Sequence, residues 1–253
     1  MTYILEHSNE ALRLELQKEI EAYSIHSELE GVGLNNKNIL DAGCGGGDVS
    51  EFLISNSTGS NVHGCDQSEI RVAHAKKKNP TGHFFTSSLE CIDAEDNSFD
   101  LIVCRYVFEY LKDPIAVLEE FKRVCKKGGE VIVIDIDGVF QNLFTINESF
   151  NQQLSKLVST VDVDLEVGRK LPAYFKKAGF ESFTSKMDSY YFKGDDLKLE
   201  VENSKMRLSA INKDISRILG EEEGLYFIRN YLRLLEKDSS VMFFNKFIVR
   251  GLV

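Results

Sequence analysis

A glycine-rich segment and two aspartates carry the clearest chemical signal in the sequence. Residues 41–48 read Asp-Ala-Gly-Cys-Gly-Gly-Gly-Asp and follow a short apolar strand. Glycines let the main chain adopt positive φ and approach a ligand closely, and the helix start that follows offers free N–H groups. Asp66, 25 residues after Asp41, ends a second strand, and its carboxylate can accept from both hydroxyls of a ribose. The pattern predicts a nucleoside site, and Asp41 adds negative charge that suits a cationic ligand.

The third glycine position distinguishes between two kinds of ligand. A dinucleotide loop has the pattern GxGxxG, and its glycines let the main chain approach the pyrophosphate. The third position is Asp48 here, so a carboxylate would face the phosphates. We therefore disfavour NAD, and an NAD-dependent oxidoreductase remains the weaker alternative.

Alternating strands and helices position this loop. Strands with continuous Val, Ile and Leu content that alternate with helices are typical of a parallel sheet covered on both faces. Ligands of such sheets bind at the carboxyl ends of the strands, where residues 41–48 must lie. The predicted strands are residues 38–40, 61–66, 83–86, 99–104 and 130–136, and the predicted helices are residues 49–55, 68–78 and 114–125.

Outside this core the pattern is mainly helical. Apolar residues at helical spacing predict one long amphipathic helix over residues 8–30. Further helices are predicted over residues 139–160, 168–178 and 195–237, and strands over 181–192 and 240–253. The expected organisation is a helical cap (1–34), an α/β core (35–138), and helical lid insertions with the final edge strands of the same domain (139–253).

Composition excludes several classes of protein. The chain has 253 residues, 43% hydrophobic and 28% charged, as expected for one large globular domain. No run approaches the roughly 18 apolar residues of a membrane span, and the acid-containing start does not resemble a signal peptide, so we expect a cytoplasmic protein. The net charge of −10 makes nucleic acid a poor partner. Because the five cysteines form no CxxC pair and the five histidines lack ligand spacing, we predict no metal site and no disulfide.

Several motifs occur in the order found in one enzyme family. Residues 39–47 resemble motif I of the class I S-adenosylmethionine-dependent methyltransferases. Residues 64–68 resemble the ribose-binding segment of that family, residues 97–104 its fourth strand, and residues 124–129 the turn before its fifth strand. Within the family the chain looks like the methyltransferases of quinone-biosynthesis type, and residues 168–172 resemble a subgroup that methylates small molecules.

The resemblance implies a fold, an activity and a set of cofactor contacts. The implied fold is α/β: a Rossmann-like, doubly wound seven-stranded sheet with a helical lid, whose last two strands form a reversed pair at the edge. The implied activity is transfer of a methyl group from S-adenosyl-L-methionine to a small-molecule acceptor by in-line displacement, with the acceptor atom left open. The implied cofactor contacts are Asp41, Gly43, Cys44, Gly45, Asp66, Gln67, Ser88, Leu89, Arg105 and Tyr3, and the subgroup adds Arg13 and Gln17 to cofactor closure.

Two positions depart from the family pattern. Ser88 stands where the family usually has an aspartate, so the adenine amine would be held by a hydroxyl or by the main chain. Lys127 replaces the usual proline of the turn before the fifth strand, and we expect this change to have no effect on the reaction. Ser88 keeps open a second possibility, a protein that binds the cofactor or keeps only the fold without turnover. A protein or tRNA methyltransferase is a third, and the net charge disfavours tRNA.

The acceptor is expected at the carboxyl ends of the fourth and fifth strands. Methyl transfer from a sulfonium depends mostly on positioning, worth roughly 7–11 kcal/mol, and needs a base only where the nucleophile carries a proton. An unmistakable catalytic residue is therefore not expected. The candidate bases are Asp135, Asp137 and Tyr106. The alternative interpretation of the two aspartates, without a catalytic role, is that each is a solvated acid at the end of a strand. The candidate acceptor contacts are Tyr106, Tyr110 and Arg169.

Overall fold

Two compact units make up the chain. The computed structural model describes residues 10–138, 143–236 and 241–253. We call residues 25–136, 166–188 and 246–253 the sheet unit. Residues 1–24, 137–165 and 189–245 form the second, which we call the helical unit.

A mixed sheet forms the centre of the sheet unit. Its order is β3-β2-β1-β4-β5-β8, and β7 also pairs with β8. The first five strands run parallel, and the order reverses between β1 and β4, which is where such sheets bind ligands. The strands are β1 (Asn38–Ala42), β2 (Asn61–Asp66), β3 (His83–Thr86), β4 (Phe99–Arg105), β5 (Cys125–Asp137), β6 (Leu143–Phe144), β7 (Ser182–Tyr191) and β8 (Val241–Leu252). The α/β class and the seven predicted strands are confirmed, and β6 is an additional short strand, antiparallel to the start of β8.

Helix starts follow the capping residues in the sequence. The Ser68 hydroxyl accepts a hydrogen bond from the N–H of Arg71. The carboxylate of Asp113, the residue before Pro114, accepts one from the N–H of Ala116. The helices are α1 (Glu10–Lys18), α2 (Ile25–Glu28), α3 (Asp48–Ser55), α4 (Glu69–Lys78), α5 (Pro114–Val124), α6 (Glu148–Val158), α7 (Val167–Lys177), α8 (Gly194–Ala210), α9 (Asn212–Leu219) and α10 (Glu221–Leu235), with 3-10 helices at Glu21–Tyr23 and Phe108–Tyr110. In the described parts of the chain, no helix is long and apolar enough to span a membrane.

Apolar side chains cover both faces of the sheet. On one face, residues such as Leu40 and Ile102 pack with Phe121 of α5 and Phe175 of α7. On the other face, Ile39, Leu101 and Ile132 pack with Leu53 of α3 and Leu29. Because alternate residues of a strand point to opposite faces, a strand covered on both sides must be apolar throughout, as β4 and β5 largely are.

The helix predicted over residues 8–30 is interrupted in the structure. Residues 8 and 9 lie outside the described residues, and the remainder forms α1, a 3-10 turn and α2. Ile20 adopts an extended conformation between them. Ile20, Ala22 and Tyr23 are all buried, and a continuous helix could not turn all three to one side. Tertiary burial therefore overrides the local helical pattern.

Two other regions predicted as helical contain more elements than expected. Of residues 139–160, the first four lie outside the described residues, the next two form β6, and α6 begins only after Asn147, whose side chain accepts from the N–H of Phe150. Residues 195–237 were predicted as mainly helical, and the structure divides the described part among α8, α9 and α10. Gly220, at φ +100, separates α9 from α10. Asn147 and Gly220 set two of these boundaries, and apolar periodicity alone does not locate them.

Candidate functional site

The loop after β1 is fixed by its own main chain. The N–H groups of Gly43 and Cys44 both donate to the carbonyl of Cys65, at 2.8 and 2.9 Å, and Gly47 N–H donates to the carbonyl of Cys44 at 2.9 Å. Gly43, Gly45 and Gly47 have φ of +77, +51 and +89, as the sequence predicts. The loop therefore joins the carboxyl ends of β1 and β2 and leads directly into α3.

The glycines of this loop have different roles. A Cβ on Gly43 would lie 2.6 Å from Val107 Cγ2, and one on Gly47 would lie 2.6 Å from Asn79 Nδ2. At Gly45 the nearest atom, on the Arg71 side chain, would be 3.8 Å away. The protein itself thus requires Gly43 and Gly47, whereas Gly45 leaves space beside the main chain for a ligand.

Asp66 ends β2 and is held against the loop. One carboxylate oxygen accepts from the N–H of Gly45 at 3.0 Å and the other from the N–H of Ser68 at 2.9 Å. The side chain is buried, and Ser68, not Asp66, caps α4. Since each carboxylate oxygen can accept more than one hydrogen bond, both keep the capacity to accept from a diol.

Asp41 is a buried carboxyl group at the end of β1. Its Oδ2 accepts from the Ser50 hydroxyl of α3 at 2.6 Å, a partner that the sequence analysis did not identify. Burial raises the pKa of Asp41 from its ordinary 3.8 to about 7, and the Ser50 hydrogen bond offsets only part of this rise. Asp41 therefore costs folding free energy whenever it is ionised in the absence of a cation.

Replacing Asp41 by asparagine is expected to remove part of the pH dependence of stability. With its pKa raised from 3.8 to about 7, the stability contributed by protonated Asp41 is complete below pH 3.8 and is lost as the pH rises to about 7. A shift of this size corresponds to about 4 kcal/mol. Urea unfolding of Asp41→Asn should match wild type near pH 4 and exceed it at pH 8. Equal differences at both pH values would contradict this, and exposed Asp113→Asn is the control.

The loop after β3 is held by a serine that the sequence analysis did not select. Ser87 is buried, and its hydroxyl accepts from the N–H of Asp93 at 3.0 Å. Ser88 is exposed, and its hydroxyl donates to Glu90. Leu89 belongs to the same buried apolar cluster as Cys65. The structure thus places Ser88 and Leu89 after β3, next to the strand that ends at Asp66, and Gln67 is exposed.

Arg105 and Tyr106 end β4 beside a buried acid. Glu28 accepts from Arg105 Nε at 2.5 Å, from a second guanidinium nitrogen at 3.0 Å, and from the Tyr106 hydroxyl at 3.1 Å. The Arg105 guanidinium lies 4.1 Å from the centre of the Tyr106 ring. Tyr106 has φ +56, a left-handed conformation that is strained for a tyrosine. Neither Glu28 nor the strain was predicted from the sequence.

Asp135 and Asp137 are buried, so the interpretation of solvated strand-end acids was wrong. Asp135 is fully buried and accepts from the N–H of Phe108 at 2.9 Å and of Ile136 at 2.8 Å. Burial, together with the nearby carboxylate of Glu109, raises the pKa of Asp135 well above its ordinary value. Because β4 and β5 are parallel neighbours, Arg105 and Asp135 lie at the same edge of the sheet. Asp135 also fixes the 3-10 helix that carries Glu109 and Tyr110.

The other predicted site residues are less closely grouped. Tyr110 is half-buried in the 3-10 helix after β4, and Arg169 of α7 is exposed and pairs with Glu166 at 3.2 Å. Arg13 and Gln17 are buried in the helical unit, where Arg13 donates to Gln17 at 2.6 Å and to Asn203 of α8 at 3.1 Å. Tyr3 lies outside the described residues. Within the described ranges, no group of three or more His, Cys, Asp or Glu is arranged to hold a metal ion.

Part of this core is similar in sequence to a known protein family. Residues 40–133 match a family model described as "Methyltransferase domain". Over these residues the chain is similar to methyltransferase domains. The ubiquinone biosynthesis O-methyltransferase of Coxiella burnetii is 32% identical over 120 residues, 46% of this chain and 50% of that protein. The same enzyme of Pseudomonas aeruginosa is 32% identical over 113 residues, 43% of this chain and 48% of that protein. The chain thus spans about half the length of the curated relatives it matches.

Solved structures share the fold of this chain. An S-adenosylmethionine-dependent methyltransferase of Thermotoga maritima superposes with a TM-score of 0.60 at 17% identity, covering 98% of this chain and 97% of that one. Phosphoethanolamine N-methyltransferase 2 of Haemonchus contortus, solved with S-adenosyl-L-methionine, has a TM-score of 0.56 at 20% identity and covers 96% of this chain and 52% of that one. At these identities the likeness extends to the fold alone.

Proposed function

We propose that this protein transfers a methyl group from S-adenosylmethionine to a small-molecule acceptor. The observation that carries the proposal is the carboxylate of Asp66. Gly45 and Ser68 hold its two oxygens in place from the main chain, and both oxygens keep capacity to accept from a ribose diol beside the open side of Gly45. The methyltransferase family of the core supports S-adenosylmethionine as the nucleoside that binds there.

The proposed cofactor contacts follow the ends of the first four strands. Asp66 and Gln67 would hold the ribose, and the main chain of residues 43–45 would lie along the amino-acid part. Asp41 would face the cationic end, where a nearby positive charge would favour its ionised form. The other proposed contacts are Ser88 and Leu89 for adenine and Arg105 at the end of β4. The contact assigned to Tyr3 stays a prediction.

Positioning is the main contribution that this chain would make to the reaction. When bound, S-adenosylmethionine supplies a methyl group on a sulfonium that leaves as a neutral thioether. Asp135 is unsuited to act as a base because it is fully buried and engaged with main-chain N–H groups. We propose instead that it holds the 3-10 helix after β4, so that Tyr106 and Tyr110 face the acceptor. The roles assigned to Asp137 and Arg169 stay predictions.

The proposal stops at a small-molecule acceptor of unspecified nucleophilic atom. The Coxiella and Pseudomonas relatives are O-methyltransferases by name, but only about half of each aligns with this chain. The helical lid expected within residues 139–253 would be formed by helices of the helical unit, and this role stays a prediction. We also propose a cytoplasmic location, because all five cysteines of the described chain are free thiols, as is usual in a reducing compartment.

Release of S-adenosylhomocysteine is the direct test. The protein is incubated with S-adenosylmethionine and either the small-molecule or the macromolecular fraction of a cell extract. We expect release with the small-molecule fraction only, and none with Asp66→Ala. Release only with the macromolecular fraction would reject the acceptor class. Binding without release from either fraction would reject turnover and support a non-catalytic binding protein.

A further inference from the structure

One face of β2 and β3 in the sheet unit is left partly uncovered. Phe84 of β3 belongs to a buried apolar cluster with Val72 and Ala75 of α4. The next residue, Phe85, points to the opposite face of the sheet and is only half-buried. The chain between β3 and β4, residues 87–98, forms no helix that could cover this second face. A groove therefore remains beside Phe85.

The groove is large enough for a small molecule and is separate from the proposed cofactor site. Its volume is about 440 Å³, and small-molecule sites have volumes of roughly 300–1,000 Å³. It is lined by Asn38, the first residue of β1, and by Phe99, the first residue of β4. Asp41 and Arg105 lie toward the opposite ends of the same two strands. A ligand in the groove would therefore not occupy the glycine loop.

Three aromatic rings line the groove, those of Phe85, Phe99 and His63. The rings of His63 and Phe99 meet edge to face with their centres 5.4 Å apart, and the ring of His83 lies 5.0 Å from that of His63. Burial and the neighbouring His83 lower the pKa of His63, so its ring is uncharged at neutral pH. Its ring nitrogens make no hydrogen bond to a described residue, so the unprotonated nitrogen can accept one from a ligand.

The loop before β4 forms the other wall and is held in place by α5. Arg123 donates to the carbonyls of Ile92 and Ala94, both at 3.0 Å. The N–H of Asp93 donates to the buried Ser87 hydroxyl at 3.0 Å. These bonds fix the main chain of the residues that line the groove, so its shape exists before a ligand binds.

Two carboxylates give this wall a negative charge. Asp93 and Glu95 both line the groove and are exposed. Arg123 does not neutralise them, because it is paired with Asp96 at 2.6 Å and with Glu120 at 2.7 Å. Neither Asp93 nor Glu95 forms an ion pair with a described residue. Aromatic faces also attract cations, so rings and carboxylates favour the same kind of ligand.

We propose that this groove is a second ligand site, which binds a small organic ammonium ion that carries an aromatic ring. The ring of the ligand would pack against Phe85 and Phe99. The ammonium group would donate to His63 and lie beside the carboxylates of Asp93 and Glu95. The inference goes beyond the proposed function and does not depend on it, because the groove and the glycine loop lie toward opposite ends of the strands.

Titration with two probes of opposite charge tests the proposal. 2-Phenylethylamine and 3-phenylpropionate carry the same ring, and at pH 8 the first is a cation and the second an anion. The readout is the nuclear magnetic resonance signal of the His63 ring, assigned by its loss in His63→Gln. We expect a saturable shift with 2-phenylethylamine, with a dissociation constant of about 1 mM or tighter, and none with 3-phenylpropionate.

Three variants separate the shape of the groove from its charge. Ala94 is small, half-buried and lines the groove, so Ala94→Phe should fill the space and abolish the saturable shift without removing a polar side chain. Asp93→Asn combined with Glu95→Gln keeps the shape and should weaken 2-phenylethylamine about fivefold or more. Glu90→Gln is the matched control, since Glu90 is an exposed acid of the same loop that does not line the groove, and it should change nothing.

Four results would overturn the inference. No shift with 2-phenylethylamine, or equal shifts with both probes, would reject an ammonium site. Wild-type affinity of Ala94→Phe would place the binding outside the groove. An effect of Glu90→Gln as large as that of the double variant would reduce the binding to the net charge of the chain. Binding of arginine amide without binding of 2-phenylethylamine would mean that the groove takes a basic side chain of a partner protein, and the small-molecule proposal would be wrong.

Discussion

Asp66→Ala should weaken binding of S-adenosylhomocysteine by about 100-fold or more. In our proposal the carboxylate accepts from two ribose hydroxyls, and each hydrogen bond to a charged group contributes about 1.5–3 kcal/mol. Alanine also leaves the N–H groups of Gly45 and Ser68 without their acceptor, so the free energy of unfolding should fall by about 1–3 kcal/mol. Calorimetric titration measures the first effect and urea unfolding the second.

The control for Asp66 is another aspartate that accepts from the main chain. Asp113 caps α5 by accepting from the N–H of Ala116 at 3.0 Å, and it is exposed. Asp113→Ala should lower stability by about 1 kcal/mol without changing the dissociation constant. If Asp66→Ala bound S-adenosylhomocysteine within about threefold of wild type, a difference below 1 kcal/mol, Asp66 would not be the ribose partner.

Gly47→Ala is expected to destabilise the protein strongly. Gly47 has φ +89, and a Cβ there would lie 2.6 Å from Asn79 Nδ2 and 3.0 Å from Ala75 Cβ. The Asn79 amide donates to the carbonyl of Gly47 at 2.8 Å, so the added atom would disturb a buried hydrogen bond. The left-handed conformation costs about 1–2 kcal/mol for alanine, and loss of the hydrogen bond about 1–3 kcal/mol more. We therefore expect a loss of about 2–5 kcal/mol in urea unfolding.

Gly128 separates the cost of conformation from the cost of crowding. It has φ +78, close to that of Gly47, but no described atom lies within 4 Å of where its Cβ would be. Gly128→Ala should therefore lose only the conformational cost of about 1–2 kcal/mol. Equal losses in the two variants would mean that the α3 start does not depend on close packing against α4.

The core of the site could be predicted because its signals are local. Gly43, Gly45 and Gly47 adopt the positive φ that their positions suggested, and Asp66 ends the second strand beside them. Alternating strands and helices fix both the parallel order and the edge at which these residues meet. Spacing along the chain was therefore sufficient to bring the glycine loop and Asp66 together.

The residues that the sequence did not indicate depend on long-range contacts. Glu28 lies 77 residues from Arg105, and their ion pair also includes Lys246, near the other end of the chain. Nothing in the sequence near Asp135 indicates that its carboxylate accepts from the main chain of the 3-10 helix after β4. Likewise, Ile20 looks like one more apolar position of a helix until its burial shows why the helix is interrupted there.

Calorimetry of the unmodified protein tests the central claim most directly. The protein is titrated separately with S-adenosylhomocysteine and with NAD, after circular dichroism has verified that it is folded. We expect saturable heat with one S-adenosylhomocysteine per chain and none with NAD. Absence of heat with S-adenosylhomocysteine, or saturable heat with NAD instead, would contradict it.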